Sequence, residues 1–110
     1  MISRLCLGTA QFGLKYGIAN KRGIVPQKEV FEILEFAHKI GLKTLDTSIA
    51  YGDSEKIIGE FIAETGTPFE IVSKILVDSD YFDPNDIRLK VHGSLQQLKV
   101  KQLYGCLIHN

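Results

Sequence analysis

The sequence predicts an α/β fold on a parallel sheet, in the order β-α-β-α-β-α-β, and three observations carry that prediction. Hydrophobic periodicity switches repeatedly between short apolar runs and helix-spaced patterns. Candidate strand ends recur at a steady interval: Asp46 to Lys74 is 28 residues (74 − 46) and Lys74 to His109 is 35 (109 − 74). One βαβ crossover takes roughly 30 residues or more, so each interval holds one unit. The composition is that of a globular domain, with 45% hydrophobic and 24% charged residues among 110. Alternation of this kind implies parallel strands joined by right-handed crossovers.

The first strand is the apolar run Leu5 to Leu7, closed by Gly8 and followed by the glycine-rich stretch GTAQFGLKYG. Lys21, Arg22 and Gly23 read as an exposed turn. After Pro26, apolar residues recur at Val30, Ile33, Leu34, Ala37 and Ile40, which is helical spacing. Gly41 then stands where a helix end wants a residue able to adopt positive φ. The second strand is Lys43 to Asp46, and a polar turn around Tyr51, Gly52 and Asp53 follows it. Ile57, Ile58, Phe61 and Ile62 mark the second helix, with Asp53 or Ser54 as its N-cap. Glu70 to Lys74 is the third strand, built on the strand formers Ile71 and Val72. Asp83-Pro84-Asn85-Asp86 signals a helix start, with a cap, a proline at the first position and acids in the first turn. Ile87, Val91, Leu95 and Leu98 give that helix its apolar stripe, and Leu103 to His109 is the fourth strand. No low-complexity tract or linker divides the chain.

Two architectures fit this order: a doubly wound open sheet, or part of an eight-stranded barrel. A dinucleotide fingerprint of the first kind would read G-x-G-x-x-G at the first strand-to-helix turn. Ala10 breaks that pattern in Gly8-Thr9-Ala10-Gln11-Phe12-Gly13.

Lysine plus arginine and aspartate plus glutamate both number 13, so the formal charge is zero. No one-sign field would steer nucleic acid or an anionic membrane. Near-neutral charge also offers little colloidal repulsion against self-association. MISRLCLG lacks a signal-peptide h-region, and no apolar stretch approaches the ~20 residues that span a bilayer. Cys6 and Cys106 each sit in an apolar run and are expected to be buried thiols of a soluble, cytoplasmic protein.

Asp46, Lys74 and His109 each end a predicted strand, and Tyr51 lies in the loop after the second. In parallel α/β proteins that edge is where sites are built. A phenol with a reference pKa near 10 exchanges protons poorly at neutral pH, and an adjacent ammonium favours the phenolate. A carboxylate holds the lysine charged, and a histidine can donate to a carbonyl oxygen as charge develops there. The set suits reversible carbonyl reduction with hydride from a cofactor, because no side chain supplies hydride. Each residue alone has a plainer reading. The aspartate can cap a helix, the lysine can snorkel, the histidine can be structural, and Tyr51 can pack over a helix end. His38 and His92 lie in helical patterns as packing or surface residues. No CxxC, HxH or HExxH offers metal-ligand spacing, and Ser48, Ser54 and Ser73 lack a nucleophile-elbow setting.

The blocks LGTAQFGLKYGIAN, LDTSIAYGDSEKIIGEF, IVSKI and GCLIHN resemble, in order, the first blocks of the aldo-keto reductase family. The second block is the most specific, and the resemblance covers nearly the whole chain. It implies a (β/α)8 barrel of which residues 1–110 form the N-terminal half, and NADPH-dependent reduction of aldehydes or ketones, with NADH not excluded. It implies Tyr51 as proton donor, Lys74 as the group lowering its pKa, Asp46 as the lysine's ion-pair partner and His109 as the residue orienting the carbonyl. Gly8, Thr9 and Ala10 match the loop approaching the nicotinamide, and Asp46 lies near its ribose in such enzymes. Full barrels need about 250 residues, so strands five to eight, with most of the adenosine and phosphate site, are expected to be missing here. Two functional readings follow: a carbonyl reductase when the barrel is whole, or a non-catalytic interaction subunit. As it stands, the chain is expected to self-associate through unpaired strand edges and an inner sheet face rich in Leu5, Leu7, Ile71 and Ile108.

Overall fold

Four strands, β1 (Cys6–Gly8), β2 (Thr44–Asp46), β3 (Glu70–Leu76) and β4 (Gly105–His109), form one parallel sheet in a computed structural model. The structure describes residues 2–17, 21, 23–77 and 83–109; Arg22 of the expected turn and residues 18–20 of the first motif lie outside them. The helices are α1 (Gln27–Lys39), α2 (Ser54–Thr65) and α3 (Pro84–Leu98), with short 3₁₀ turns at Ile2–Arg4 and Ala10–Phe12. Among the described residues, no helix is long and apolar enough to cross a membrane.

The strand order β1-β2-β3-β4 decides between the two architectures. A doubly wound sheet reverses its order at a switch point. Here each strand pairs with the next, so right-handed crossovers place all three helices on one face. The result is an arc of a (β/α)8 barrel, α/β in class. Leu45 and Ile71 meet Val30, Leu34 and Ala37 of α1, Ile58 and Phe61 of α2 and Leu98 of α3 in one buried cluster, with Leu7 packed against it. Phe61 anchors it, edge-on to Phe31 at 5.4 Å between ring centroids.

That packing corrects the expected makeup of the inner face. Leu7 and Ile71 lie on the helix side, and Ile108, in register with buried Ile75, shares that side. Leu5 precedes β1 and is exposed. Because side chains alternate along a strand, the opposite face carries Cys6, Gly8, Asp46, Val72, Lys74, Leu107 and His109. The two cysteines are exposed rather than buried: Cys6 lies on the uncovered inner face and Cys106 on the edge strand β4. Partial desolvation still pushes both thiols upward, helped by Asp46 against the opposing pull of Lys74 at Cys6, and by Glu55 at Cys106.

Local signals act largely as expected at the helix ends. Asp83 accepts from Asn85 N at 2.9 Å with Pro84 behind it, and Gly41 follows α1 at φ 91°. Asp53 is the N-cap of α2, but its side chain makes no cap bond. Gly59 lets α2 and α3 touch, since a Cβ there would stand 2.1 Å from the Gln97 carbonyl oxygen.

Candidate active site

Strand register aligns the site. Gly8 pairs with Asp46, Asp46 with Val72 and Val72 with Gly105, so one row crosses the sheet near its C-terminal edge. Lys74 stands two residues beyond that row, on the same face as Asp46. Its Nζ donates to Asp46 Oδ1 at 2.6 Å, to the Thr47 carbonyl at 3.1 Å and to Tyr51 Oη at 3.4 Å. An ammonium has three protons and no acceptor, so these three partners match its capacity. The same nitrogen lies 5.1 Å from the Tyr51 ring centroid, within cation–π range.

This geometry has a chemical consequence. Lys74 can only donate, so Tyr51 Oη is the acceptor of that contact and its own proton is left for another partner. The lysine is 15% exposed and Asp46 37%. Burial alone would pull the Lys74 pKa down; the hydrogen bonds to Asp46 and Tyr51 and their charges outweigh it, and the net shift is upward. The lysine is therefore held as a cation at neutral pH.

The surrounding backbone is pinned. Ile49 N donates to the Lys74 carbonyl at 3.1 Å and Thr47 N to the Val72 carbonyl at 2.9 Å. Ser73 Oγ donates to Glu55 Oε2 at 2.7 Å, tying the first turn of α2 to β3 beside Lys74. Tyr51 itself sits in a turn, with its N–H on the Ser48 carbonyl at 3.1 Å and its carbonyl accepting from Ser54 N at 3.0 Å.

A cavity of about 420 Å³ opens beside this group, lined by Gly8, Thr9, Ala10, Gln11, Tyr16, Asp46 and Tyr51. Three residues expected near a cofactor thus border the same space as the carboxylate and the phenol. Gly8 has open space where a side chain would project. Thr9 is fully buried, and its hydroxyl is committed to the Asp46 carbonyl at 2.9 Å. Gln11 and Tyr16 were not singled out from the sequence. Gln11 Nε2 donates to the Tyr16 carbonyl at 2.8 Å, and only position in the glycine-rich loop could have marked either residue. A second cavity of about 340 Å³, bordered by His38, Leu42, Pro68 and Phe69, lies at the opposite end of the strands.

Asp46, Lys74 and Tyr51 are brought together; His109 stands apart. Its register partner is Leu76, two residues past Lys74 on the same face. It is four residues beyond the Asp46 row, roughly 13 Å at ~3.3 Å per residue. The imidazole is exposed, and among the described residues no hydrogen bond joins it to the other three.

Fold and site together define a segment of a (β/α)8 barrel with Asp46, Lys74 and Tyr51 gathered at its C-terminal edge. Residues 4–110 match the model of the aldo/keto reductase family, and the chain belongs to that family. YrpG of Bacillus subtilis (strain 168), named as an uncharacterized oxidoreductase, is 31% identical over 99% of this chain and 36% of its own length. The Pseudomonas aeruginosa protein PA4992, crystallised as a candidate aldo-keto reductase, superposes with a TM-score of 0.78 at 30% identity, over 96% of this chain and 42% of that one. An aldo-keto reductase from Klebsiella pneumoniae, solved in complex with NADPH, shares the fold at a TM-score of 0.69 and 22% identity, over 94% of this chain and 34% of that one. The chain spans less than half the length of each of these relatives.

Proposed function

We propose that residues 1–110 form the N-terminal half of a barrel that, when complete, is an NADPH-dependent oxidoreductase reducing an aldehyde or ketone to an alcohol. The carrying observation is the Lys74 ammonium shared between Asp46 Oδ1 and Tyr51 Oη. Tyr51 acts as general acid, delivering its proton to the carbonyl oxygen. Lys74 stabilises the phenolate that this transfer leaves, and Asp46 fixes the lysine's direction. His109, on the same face, orients the carbonyl.

The polar cavity suits a nicotinamide group: Gly8 leaves its floor open, and Ala10 adds only a methyl group. Asp46 keeps acceptor capacity for a ribose hydroxyl beyond the oxygen used by Lys74. NADPH, when bound, supplies the hydride that no side chain can provide. We take NADPH as the cofactor, as in the Klebsiella pneumoniae relative solved with it.

Supplying strands five to eight as a separate polypeptide from a family member should give a complex that oxidises NADPH when an aldehyde is added. Tyr51→Phe should then lower kcat by about 10²- to 10⁴-fold, the usual contribution of a general acid. A Tyr51→Phe complex with full kcat would refute the role. Among the described residues nothing covers the inner face or pairs with the outer edges of β1 and β4, which favours a second reading, an interaction module without catalysis. A stable complex that never oxidises NADPH would select it.

A further inference from the structure

Tyr51 reaches Lys74 from a turn rather than from a strand, so something outside the sheet must set its place. Two features do so. The first is a backbone-to-backbone approach. A Cβ added at Gly13 would fall 1.7 Å from the Tyr51 carbonyl oxygen and 2.8 Å from Ser54 N. Gly52, at φ +55°, faces back: a Cβ there would lie 2.4 Å from the Gly13 carbonyl oxygen. The loop after β1 is therefore pressed against the Tyr51 turn with no room for a side chain on either surface.

The second feature is a cluster of three fully buried hydroxyls, Thr9, Thr47 and Ser54. Ser54 Oγ lies 3.0 Å from Thr47 Oγ1, 2.9 Å from Thr9 Oγ1 and 3.1 Å from the Thr9 carbonyl. Thr9 Oγ1 donates to the Asp46 carbonyl, which also accepts from Thr9 N at 3.0 Å. Each hydroxyl has one proton. One consistent assignment sends Thr47 to Ser54, Ser54 to Thr9 and Thr9 to Asp46. The path then closes on itself: Ser54 N holds the Tyr51 carbonyl, Asp46 holds Lys74, and Lys74 holds Tyr51 Oη and the Thr47 carbonyl.

We infer that Gly13 and the buried Thr9–Ser54–Thr47 cluster are positioning residues that fix where the Tyr51 phenol and the Asp46 carboxylate meet Lys74. This rests on the reading of those three as one working group. The signature is the titration of Lys74 itself, raised by its bonds to Asp46 and Tyr51 and therefore sensitive to their placement. A residue that merely stabilised the fold would leave this titration unchanged. The other titratable groups on the same face, Cys6, Glu70 and His109, are untouched in every variant below.

The test is lysine ¹³Cε NMR on the 110-residue chain at one fixed concentration, with Lys74 assigned by its loss in Lys74→Met and folding checked by circular dichroism. Tyr51→Phe should lower the Lys74 pKa, because it removes one bond that raises it. Folded Gly13→Ala should shift it in the same direction. Thr9→Val should lower it too, and Thr9→Ser, which keeps the hydroxyl, should restore it. Should Gly13→Ala fail to fold, the Thr9 pair decides alone. Wild-type titration in Thr9→Val and in any folded Gly13→Ala, alongside a shifted Tyr51→Phe, overturns the inference and leaves the working group standing. An unshifted Tyr51→Phe removes the Lys74–Tyr51 contact, and with it both the group and the inference.

Discussion

Lys74→Met in the isolated chain separates the ion pair from the hydrogen bonds around it. The Asp46 side chain is more than one-third exposed, so after the lysine is lost its carboxylate stays solvated. A pair whose carboxylate is this exposed contributes about 0–1 kcal/mol. The Thr47 carbonyl is different: Thr47 is fully buried, and Lys74 Nζ is its hydrogen-bond donor. Leaving such a group unsatisfied costs about 1–3 kcal/mol, so the orphaned carbonyl dominates. We expect Lys74→Met to destabilise the chain by about 1–3 kcal/mol, whereas Asp46→Asn, which keeps Lys74 on Thr47, costs under about 1 kcal/mol. The pH dependence has a definite sign. Lys74 is raised in the folded state, so its charge-linked stability is full below the ordinary value of 10.5 and is lost as pH climbs through the higher folded value. Urea denaturation followed by circular dichroism, at neutral pH and again above 10.5, should show the gap between wild type and Lys74→Met narrowing at alkaline pH. Equal stability of the two proteins at neutral pH would refute the reasoning, and so would a gap indifferent to pH.

Gly59→Ala should destabilise by about 1–3 kcal/mol or more in the same assay, as overpacking does, because the added methyl meets Gln97 backbone rather than a movable side chain. Ile58→Ala, at a fully buried position of the same helix, should cost about 2–5 kcal/mol in urea denaturation. Light scattering should find the chain above monomer mass, since strand edges with unpaired N–H and C=O groups template pairing; a monodisperse monomer would contradict this. Both cysteines should alkylate without denaturant and faster as pH rises, their thiols being exposed but shifted upward. Mass-spectrometric protection of Cys6 on adding the complementary barrel half would report that the inner face has been covered.

Periodicity made the element order legible, because buried stripes such as Val30, Leu34 and Ala37 recur at helical spacing. It left barrel and open sheet unresolved, since both need the same alternation; the consecutive strand order distinguishes them and is a long-range property. Strand faces were harder. In a parallel sheet under helices, an apolar residue such as Leu7 reads alike on either side, and the register with Leu45 assigns it. Lys74, Asp46 and Tyr51 were visible as polar residues ending or following apolar runs. The hydroxyl cluster was not. Thr9, Thr47 and Ser54 are common turn and cap residues, and separations of up to 45 residues hide their meeting. Ser54, a cap candidate by position, turns its hydroxyl into that cluster instead. Gly13 looked like one loop glycine among several, and only the close approach of two backbones gives it a reason.

The three bonds that hold Lys74 close over short spans of sequence, 23 residues to Tyr51, 27 to Thr47 and 28 to Asp46. Loop-closure entropy grows as (3/2)RT ln n, so closing 28 residues rather than a barrel's ~250 saves about 2 kcal/mol of ordering cost. Chains emerge from synthesis N-terminus first, at roughly 5–20 residues per second. Nothing beyond β3 contributes an atom to the lysine's three bonds. The charged centre can therefore form as soon as β3 docks on β2, seconds before α3 and β4 have left the ribosome.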